Sequence, residues 1–167
     1  MKRCIVGIDS DMGGAIVVID KMINIVAYEL TPSIKDGSKR HADIAGMIEI
    51  CRSLSQRYRC HALIEDTFPL PKQSGASVRK QGIMLGAWQA IAICHIGSYE
   101  LIRPRVWQSC MHAGCAGADT KTRSIIACGR LFPDLNLIVG NKRTPHRGLA
   151  DAALISLYGA RKYFLKK

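Results

Sequence analysis

The sequence lacks any apolar run close to the roughly 20 residues that a membrane-spanning helix needs. It also has no internal repeats, no low-complexity tracts and no linker-like segments. Nothing at its start resembles a signal or transit peptide, because "MKRCIVGID" leads directly into a predicted strand. We therefore predict a single globular domain over residues 1–167, without a membrane segment.

Acidic residues are scarce. The 13 Asp and Glu residues face 24 Lys and Arg residues, which gives a net charge of +11. A surplus of this size favours a polyanionic partner, and nucleic acid is the most common one. The alternative at this point is a basic protein whose charges only keep it soluble.

The cysteines lack the pattern of a disulfide framework. There are seven, an odd number, and most lie in apolar stretches, which is typical of free thiols in a reducing compartment. The segment "CMHAGC" brings Cys110, His112 and Cys115 close together, but the second ligand pair of a zinc finger is missing. The role of these three residues stays open.

Periodicity predicts an α/β protein with helices around a mixed sheet. A polar, basic loop is expected at "TPSIKDGSKRH". Strands are predicted over residues 3–9, 14–19, 23–29, 60–66 and 98–102, and helices over 43–58, 79–96, around Trp107, from Asp119 or Thr120 to "LFPD", and over 149–164.

Three acidic residues occupy positions that suit catalysis. Asp9 and Glu65 end apolar strands, and Asp151 lies on the apolar face of the last helix. A buried carboxylate needs a partner, and carboxylate oxygens are good ligands for Mg²⁺. Three converging acids can hold two Mg²⁺ ions for phosphodiester hydrolysis. Each acid taken singly also suits a helix cap, a turn or a salt bridge.

Five segments together resemble a known family: "GIDSDMGGAIVVID", "ALIEDTFPLP", "GAWQA", "DTKTRS…ACGRLFPDLNL" and "GLADAALISLYG". In order and spacing they resemble the RuvC-like Holliday junction resolvases, with the closest likeness to the plastid resolvases of plants and their bacterial and phage relatives. The resemblance implies an RNase H-like, mixed five-stranded sheet flanked by helices. It also implies a homodimer that makes paired, symmetric, Mg²⁺-dependent nicks in four-way junction DNA during recombination and repair.

The resemblance also implies a setting and a cofactor. Two Mg²⁺ ions are expected in each active site, and Mn²⁺ is expected to substitute for them. The compartment would be a reducing one that contains DNA: a plastid or other organelle nucleoid, or the cytoplasm of a bacterial or phage-infected cell.

Matched by position to the family, Asp9, Glu65 and Asp151 are the metal-binding carboxylates. Lys121, in "TKTRS", matches the family's basic residue near the scissile phosphate. By the same comparison Asp9 is the metal ligand, while the neighbouring Asp11 is more often a turn-forming residue than a ligand.

The chain departs from the family pattern before its last carboxylate. The family usually has an acid or a histidine three or four residues earlier, where this chain has Gly148 and Arg147. The fourth metal ligand is therefore open. His146, one position further upstream, is the candidate for positioning or deprotonating the attacking water, with a DNA-contacting or solvated histidine as the alternative.

Further residues are candidates for DNA binding and for dimer formation. Gly82 and Gly86, four apart on the predicted long helix, permit a close approach of two helices in a dimer, or of this helix to its own sheet. Phe68 could wedge between bases at an opened junction or fill the core. The expected DNA-binding residues are Lys39, Arg40, Phe68, Arg79, Lys80, Arg105 and Arg147.

Three interpretations compete with a resolvase. One is a protein that binds junctions or branched DNA and has lost catalysis, and another is a related nuclease or repair endonuclease that acts on other branched DNA. The third arises because "GIDSDMGGA" also resembles the phosphate loop of sugar-kinase and actin-like ATPases, although those enzymes need two lobes and this chain has the length of one. ATP binding without DNA cleavage would identify this third alternative.

Overall fold

The first two strands are apolar on both faces, and they form the middle of the sheet. The computed structural model describes residues 1–117 and 119–165. Seven strands are present in that part of the chain: β1 (Lys2–Ile8), β2 (Ala15–Asp20), β3 (Ile25–Leu30), β4 (Ser33–Asp36), β5 (Lys39–Ala42), β6 (Tyr58–Glu65) and β7 (Tyr99–Ile102). All six residues of β2 are buried, as expected for a strand covered on both faces.

The main sheet has five strands in the order β3-β2-β1-β6-β7. β2 pairs antiparallel with both β1 and β3, whereas β1, β6 and β7 run parallel. The five-stranded mixed sheet that the sequence analysis expected is therefore confirmed. Its parallel strands place their carboxyl ends along one edge.

Helices cover both faces of the sheet. They are α1 (Ile44–Arg57), α2 (Gly75–Ile91), α3 (Pro104–Met111), α4 (Thr120–Leu131) and α5 (Arg147–Phe164). α1 and α2 contribute Met47, Leu54 and Trp88 to the core on one face, and α3, α4 and α5 form the core on the other. No helix within residues 1–117 and 119–165 is long and apolar enough to cross a membrane.

Two sequence-based predictions of local structure were wrong. The segment expected to be a basic loop is the hairpin of β4 and β5, turned at Gly37 with a positive φ of 57°. Glycine adopts this conformation without strain, so "KDGSK" reverses the chain. The long helix begins at Gly75 rather than at residue 79, because the Ser74 side chain accepts a hydrogen bond from the Ser77 N–H and caps it.

The helical stretch ends at residue 96, as predicted, but its last turn is π-helical. α2 passes into this π-helical turn, Ala92–Ile96, which stops at Gly97 with a φ of 89°. Gly82 and Gly86 face open space, since a Cβ added at either would meet no atom within 4 Å. The alternative in which these two glycines pack against the chain's own sheet is therefore wrong.

α5 lies unusually close to β1 because glycines remove the side chains between them. A Cβ at Gly7 of β1 would lie 2.3 Å from the Ala152 carbonyl oxygen and 2.4 Å from the Ser156 nitrogen. On the helix, a Cβ at Gly159 would lie 2.7 Å from the Ile5 side chain. Backbone therefore packs on backbone, and the position of α5 along the strand is fixed.

We expect Gly7→Ala to lower the free energy of unfolding by about 2–3 kcal/mol, because the added methyl group forces α5 away from β1. Gly129→Ala is the matched control: Gly129 lies within α4 with no atom within 4 Å of an added Cβ. That change should raise stability by about 0.5–1 kcal/mol through helix propensity. Urea denaturation of both variants measures the difference. A Gly7→Ala variant as stable as the wild type would show that α5 is free to shift.

Candidate active site

The register of the sheet places Asp9 and Glu65 side by side. Ile8 of β1 pairs with Ile64 of β6 in the parallel ladder, so the next residue of each strand is an acid. Side chains alternate between the faces of a strand, and Ile5 and Leu63 point towards α5. Asp9 and Glu65 each lie an even number of residues further on and face the same side, where they are 7% and 8% exposed.

The turn after β1 holds Asp9 in place. Its backbone N–H donates to the Ala15 carbonyl over 3.1 Å, which closes a short turn between β1 and β2. A Cβ at Gly14 would lie 2.1 Å from the Asp9 carbonyl oxygen, so only glycine allows the chain to turn back this close to Asp9. A Cβ added at Gly13 would meet no atom within 4 Å, so Gly14 is the glycine that this close approach requires.

The third acid, Asp151, reaches the same place from α5. One turn before it, Gly148 contacts the β1–β2 turn: a Cβ there would lie 2.7 Å from Asp9 Oδ2 and 2.4 Å from the Gly13 carbonyl oxygen. Burial raises the pKa of Asp9 well above its usual range, and the charges of Glu65 and Asp151 raise it further. The structure thus brings together the three carboxylates that the sequence analysis selected.

The other two carboxyl groups are perturbed in the same direction. Burial raises the pKa of Glu65 to about 7, the Asp151 charge adds to the rise, and a hydrogen bond from Trp107 opposes it. Burial likewise raises the pKa of Asp151 to about 6. The Ser124 side chain, through hydrogen bonding, and the positive charge of Lys121 both oppose this rise. A cluster of acids that raise one another's pKa values is typical of a functional site.

Trp107 orients Glu65, a role that the sequence analysis did not predict. Its indole Nε1 donates a hydrogen bond to Glu65 Oε1 over 2.9 Å, and both groups are buried. The Ser10 hydroxyl donates to the backbone carbonyl of the same glutamate, also over 2.9 Å. A buried tryptophan usually needs an acceptor, which was the available signal.

The donor set suits a hard divalent cation. It consists of carboxylate oxygens alone, and Asp151 Oδ1 is buried without a hydrogen-bond partner. In the parts of the chain that the structure describes, however, no three His, Cys, Asp or Glu side chains stand close enough together to hold a metal ion. Binding a cation would therefore draw the carboxylates towards each other.

The zinc-like segment takes a different role. His112 is buried, and its Nε2 hydrogen-bonds with the Ser124 hydroxyl at 2.9 Å. Cys110 is exposed and Cys115 is partly buried. These three residues do not form a metal-binding group in the described part of the chain.

Lys121 and Asp11 lie next to the acids. Burial raises the pKa of Asp11, and the nearby charge of Lys121 opposes the rise. The Asp11 backbone N–H donates to Asp9 Oδ1 over 3.3 Å, and its carbonyl accepts from the Gly14 N–H over 2.9 Å. Asp11 is therefore a turn residue, as predicted, and at the same time a fourth acid beside the cluster.

His146 caps α5. Its Nδ1 accepts a hydrogen bond from the Leu149 N–H at 3.0 Å, so only Nε2 of the ring can bond to another group. Burial lowers the pKa of the ring, and the charge of Arg40 adds to the lowering. The catalytic role of His146 stays a prediction, and these contacts place it beside a cation and a helix end.

Arg147 and Gly148 follow at the start of α5. Arg147 is exposed, and its charge helps to lower the pKa of Asp119, after the larger effect of the Thr122 backbone N–H. Gly148 is buried against Asp9 with no room for a side chain. A fourth metal ligand cannot come from residue 148 in this packing.

The other predicted DNA-binding cations are all exposed. Lys39 and Arg40 lie on the β4–β5 hairpin, where Arg40 donates to the Ser33 hydroxyl. Arg79 and Lys80 lie on α2, and Lys80 shares a groove with Asp11. Arg105 lies on α3.

Phe68 projects into solvent from the loop after Glu65. It is 55% exposed, and the Arg103 guanidinium stacks over its ring at 5.6 Å from the centroid. The alternative in which Phe68 fills the core is therefore wrong. Its role as a wedge between bases stays a prediction.

Comparison with known proteins finds similarity at the level of structure. No family model matches the chain, and no curated protein matches it. Among solved structures, Thermus thermophilus RuvC in complex with a Holliday junction substrate matches with a TM-score of 0.64 and 16% identity, over 97% of each chain. Another structure of Thermus thermophilus RuvC matches with a TM-score of 0.58 and 18% identity, over 95% of each chain. The mixed five-stranded sheet flanked by helices therefore has the RNase H-like fold of RuvC.

Proposed function

We propose that this protein is a Mg²⁺-dependent endonuclease that resolves four-way DNA junctions by paired, symmetric nicks. The observation that carries the proposal is the meeting of Asp9, Glu65 and Asp151 from two strand ends and one helix. The solved structure that the chain resembles over 97% of its length is a RuvC bound to a Holliday junction. A closer relation to plastid resolvases, and a place in a reducing, DNA-containing compartment, belong to the same proposal and rest on the sequence motifs.

In this proposal the three acids share one role, and Trp107 and Lys121 each have another. Asp9, Glu65 and Asp151 would hold Mg²⁺, or Mn²⁺ in its place, and the bound metal would activate water and stabilise the leaving oxygen. Trp107 keeps the Glu65 carboxylate oriented through its hydrogen bond. Lys121, whose positive charge lowers the pKa of Asp151, would neutralise the negative charge that develops at the scissile phosphate.

The positive surface supplies the affinity for DNA. The chain carries 24 Lys and Arg residues, and only Arg52 and Lys162 form ion pairs within residues 1–117 and 119–165. Unpaired cations release counterions when they bind phosphates, which drives association with nucleic acid. In this proposal the exposed Phe68 would contact bases where the strands of a junction separate.

The second candidate function is junction binding without cleavage. Gly148 favours it, because this residue leaves no room for the side chain that would complete the family's ligand set. The retained cluster of buried, mutually repelling carboxylates favours catalysis. Without a cation such a cluster destabilises the fold, so its presence needs a functional reason.

The decisive experiment uses a labelled mobile four-way junction and a linear duplex, with and without Mg²⁺. We expect the wild type to cut the junction in Mg²⁺ and to spare the duplex. Asp9→Asn, Glu65→Gln and Asp151→Asn should each abolish cleavage and leave junction affinity nearly unchanged, because affinity comes mainly from cations on the surface.

Glu29→Gln is the control, since Glu29 is an exposed acid on β3. It should cut like the wild type. Continued cleavage by one of the three variants would remove that residue from the metal site. Junction binding without cleavage by the wild type would favour the second candidate function.

The metal-free protein should lose stability as the pH rises. Folding raises the pKa of Glu65 from 4.5 to about 7, so the folded state holds the proton more tightly, and that stabilisation disappears as the pH rises between these values. We expect Glu65→Gln to be more stable than the wild type at pH 8, by about 3 kcal/mol as an upper estimate. Adding Mg²⁺ should stabilise the wild type more than the variant. Thermal unfolding in EDTA and in Mg²⁺ measures both effects.

Glu100→Gln is the control of opposite sign. Hydrogen bonds from Lys162 and Tyr163 outweigh the effect of burial and lower the pKa of Glu100. Its contribution to stability is therefore present at pH 8, and its replacement should destabilise the protein there. Equal effects of the two variants on stability at pH 8 would contradict the raised pKa of Glu65.

The proposal includes a homodimer, because two active sites are needed to nick a two-fold symmetric junction. α2 supports this with an exposed face of small and apolar residues: Gly82, Gly86, Ile83 (53% exposed) and, in the π-helical turn, Ile93 (52% exposed). The two glycines permit close packing of one helix against its copy. We propose this face as the dimer interface.

Gly86→Leu should convert the dimer to a monomer, because the new side chain separates the two helices. Gly129→Leu, which places the same residue on the exposed face of α4, should leave the dimer intact. Sedimentation velocity measures both. A Gly86→Leu dimer would place the interface elsewhere on the molecule.

A further inference from the structure

A groove between α3 and α4 has the chemistry of an anion site. Its volume is about 320 Å³, and none of the described residues that line it is acidic. The side chains that offer donors or positive charge to the groove are Arg105, Gln108, His112, Thr120 and Arg123. The groove was not predicted from the sequence, which singled out only Arg105 among these side chains for DNA.

Packing holds the Arg123 side chain in place, and its Nε has no hydrogen-bond partner. A Cβ at Gly117 would lie 2.9 Å from Arg123 Cγ, so the arginine side chain packs directly on the glycine backbone. Its Nε is buried and has no hydrogen-bond partner. Neither Arg105 nor Arg123 forms an ion pair with any residue that the structure describes.

His112 adds no compensating charge to the groove. Its Nε2 is engaged with Ser124, and burial, with the charge of Arg123 adding to it, lowers the pKa of the ring. The two guanidinium groups thus remain uncompensated on a surface of neutral donors. Arginine pairs with phosphate oxygens through several N–H groups at once, so a phosphate is the ligand that this set recognises.

The two helices that line the groove, α3 and α4, also carry residues that act on the acid cluster. Trp107, on α3, donates to Glu65, and its ring lies edge-on to His112 with centroids 5.5 Å apart. Lys121, on the first turn of α4, places its charge near Asp151. A DNA strand with one phosphate at the acids would therefore continue along these two helices.

We propose that the α3–α4 groove binds a second backbone phosphate of the DNA strand that is cut, close to the scissile phosphate and distinct from it, with Arg123 and Arg105 as its ligands. This inference rests on the proposed function. It assigns Arg123 to positioning the strand, separately from the metal-binding carboxylates and from Lys121.

The test replaces single phosphates of a four-way junction, one at a time around the cut, with neutral methylphosphonates. Binding is measured in EDTA, where no cleavage occurs. We expect one position beside the scissile phosphate at which the neutral group weakens wild-type binding by roughly 10-fold, the scale of a charged hydrogen bond. Arg123→Gln should weaken binding of the unmodified junction by a similar factor and be insensitive to the neutral group at that position.

Three further variants sharpen the test. Arg123→Lys keeps the charge and should restore part of the affinity, while Arg105→Gln should be affected at the same phosphate and serves if Arg123→Gln fails to fold. Arg52→Gln is the charge-matched control, because Arg52 lies on α1 across the sheet and pairs with Glu49 at 3.4 Å. It should keep the wild-type pattern of sensitivity.

The outcomes separate the two levels of the proposal. Loss of sensitivity at one phosphate in Arg123→Gln and Arg105→Gln, but not in Arg52→Gln, supports the groove as a phosphate site. Wild-type binding with undiminished sensitivity in both groove variants overturns the groove and leaves the junction-binding function standing. A wild type that binds no junction overturns both.

Discussion

The close contact between α5 and β1 is the constraint on which the rest of the site depends. Gly7 of β1 allows the strand to contact the backbone of α5 directly, and Gly159 allows α5 to contact the side chains of the sheet. Gly148 allows the start of α5 to contact Asp9. With α5 fixed along the strand, Asp151 can only lie beside the carboxyl ends of β1 and β6. The same contact denies residue 148 a side chain, so one feature both assembles the three acids and keeps residue 148 from adding a further side chain to the cluster.

This assembly works against stability. Asp9 and Glu65 are buried beside Asp151, and burial together with their mutual repulsion raises their pKa values. Trp107 and Lys121 partly offset the cost, the first through a hydrogen bond and the second through its charge. The surrounding core, with apolar strands covered on both faces, must therefore offset the unfavourable free energy of burying these acids. Such a balance is expected where function requires unfavourable local electrostatics.

The fold also separates the tasks in space. The acids lie at one edge of the sheet, α3 and α4 carry uncompensated arginines beside them, and the exposed face of α2 lies on the opposite layer. The proposed strand cutting, strand positioning and subunit contact would therefore use different surfaces of the molecule. The side chains of each surface lie on regular elements or, in the case of Asp9, directly after a strand, and such positions are held more firmly than loops are.

The sequence by itself determined the sheet, the helices and the three acids, because each depends on short-range patterns. Apolar runs marked the strands, helical spacing placed Asp151 on a buried face, and strand ends marked Asp9 and Glu65. The sequence analysis missed the β4–β5 hairpin, since the exposed, charged residues of "SIKDGSKRHA" contain no apolar run. The His146 cap joins residues only three apart, and the sequence analysis overlooked it. Only the tertiary structure decided the Trp107–Glu65 bond and the α3–α4 groove. These depend on contacts between residues up to 42 positions apart, which no local pattern encodes.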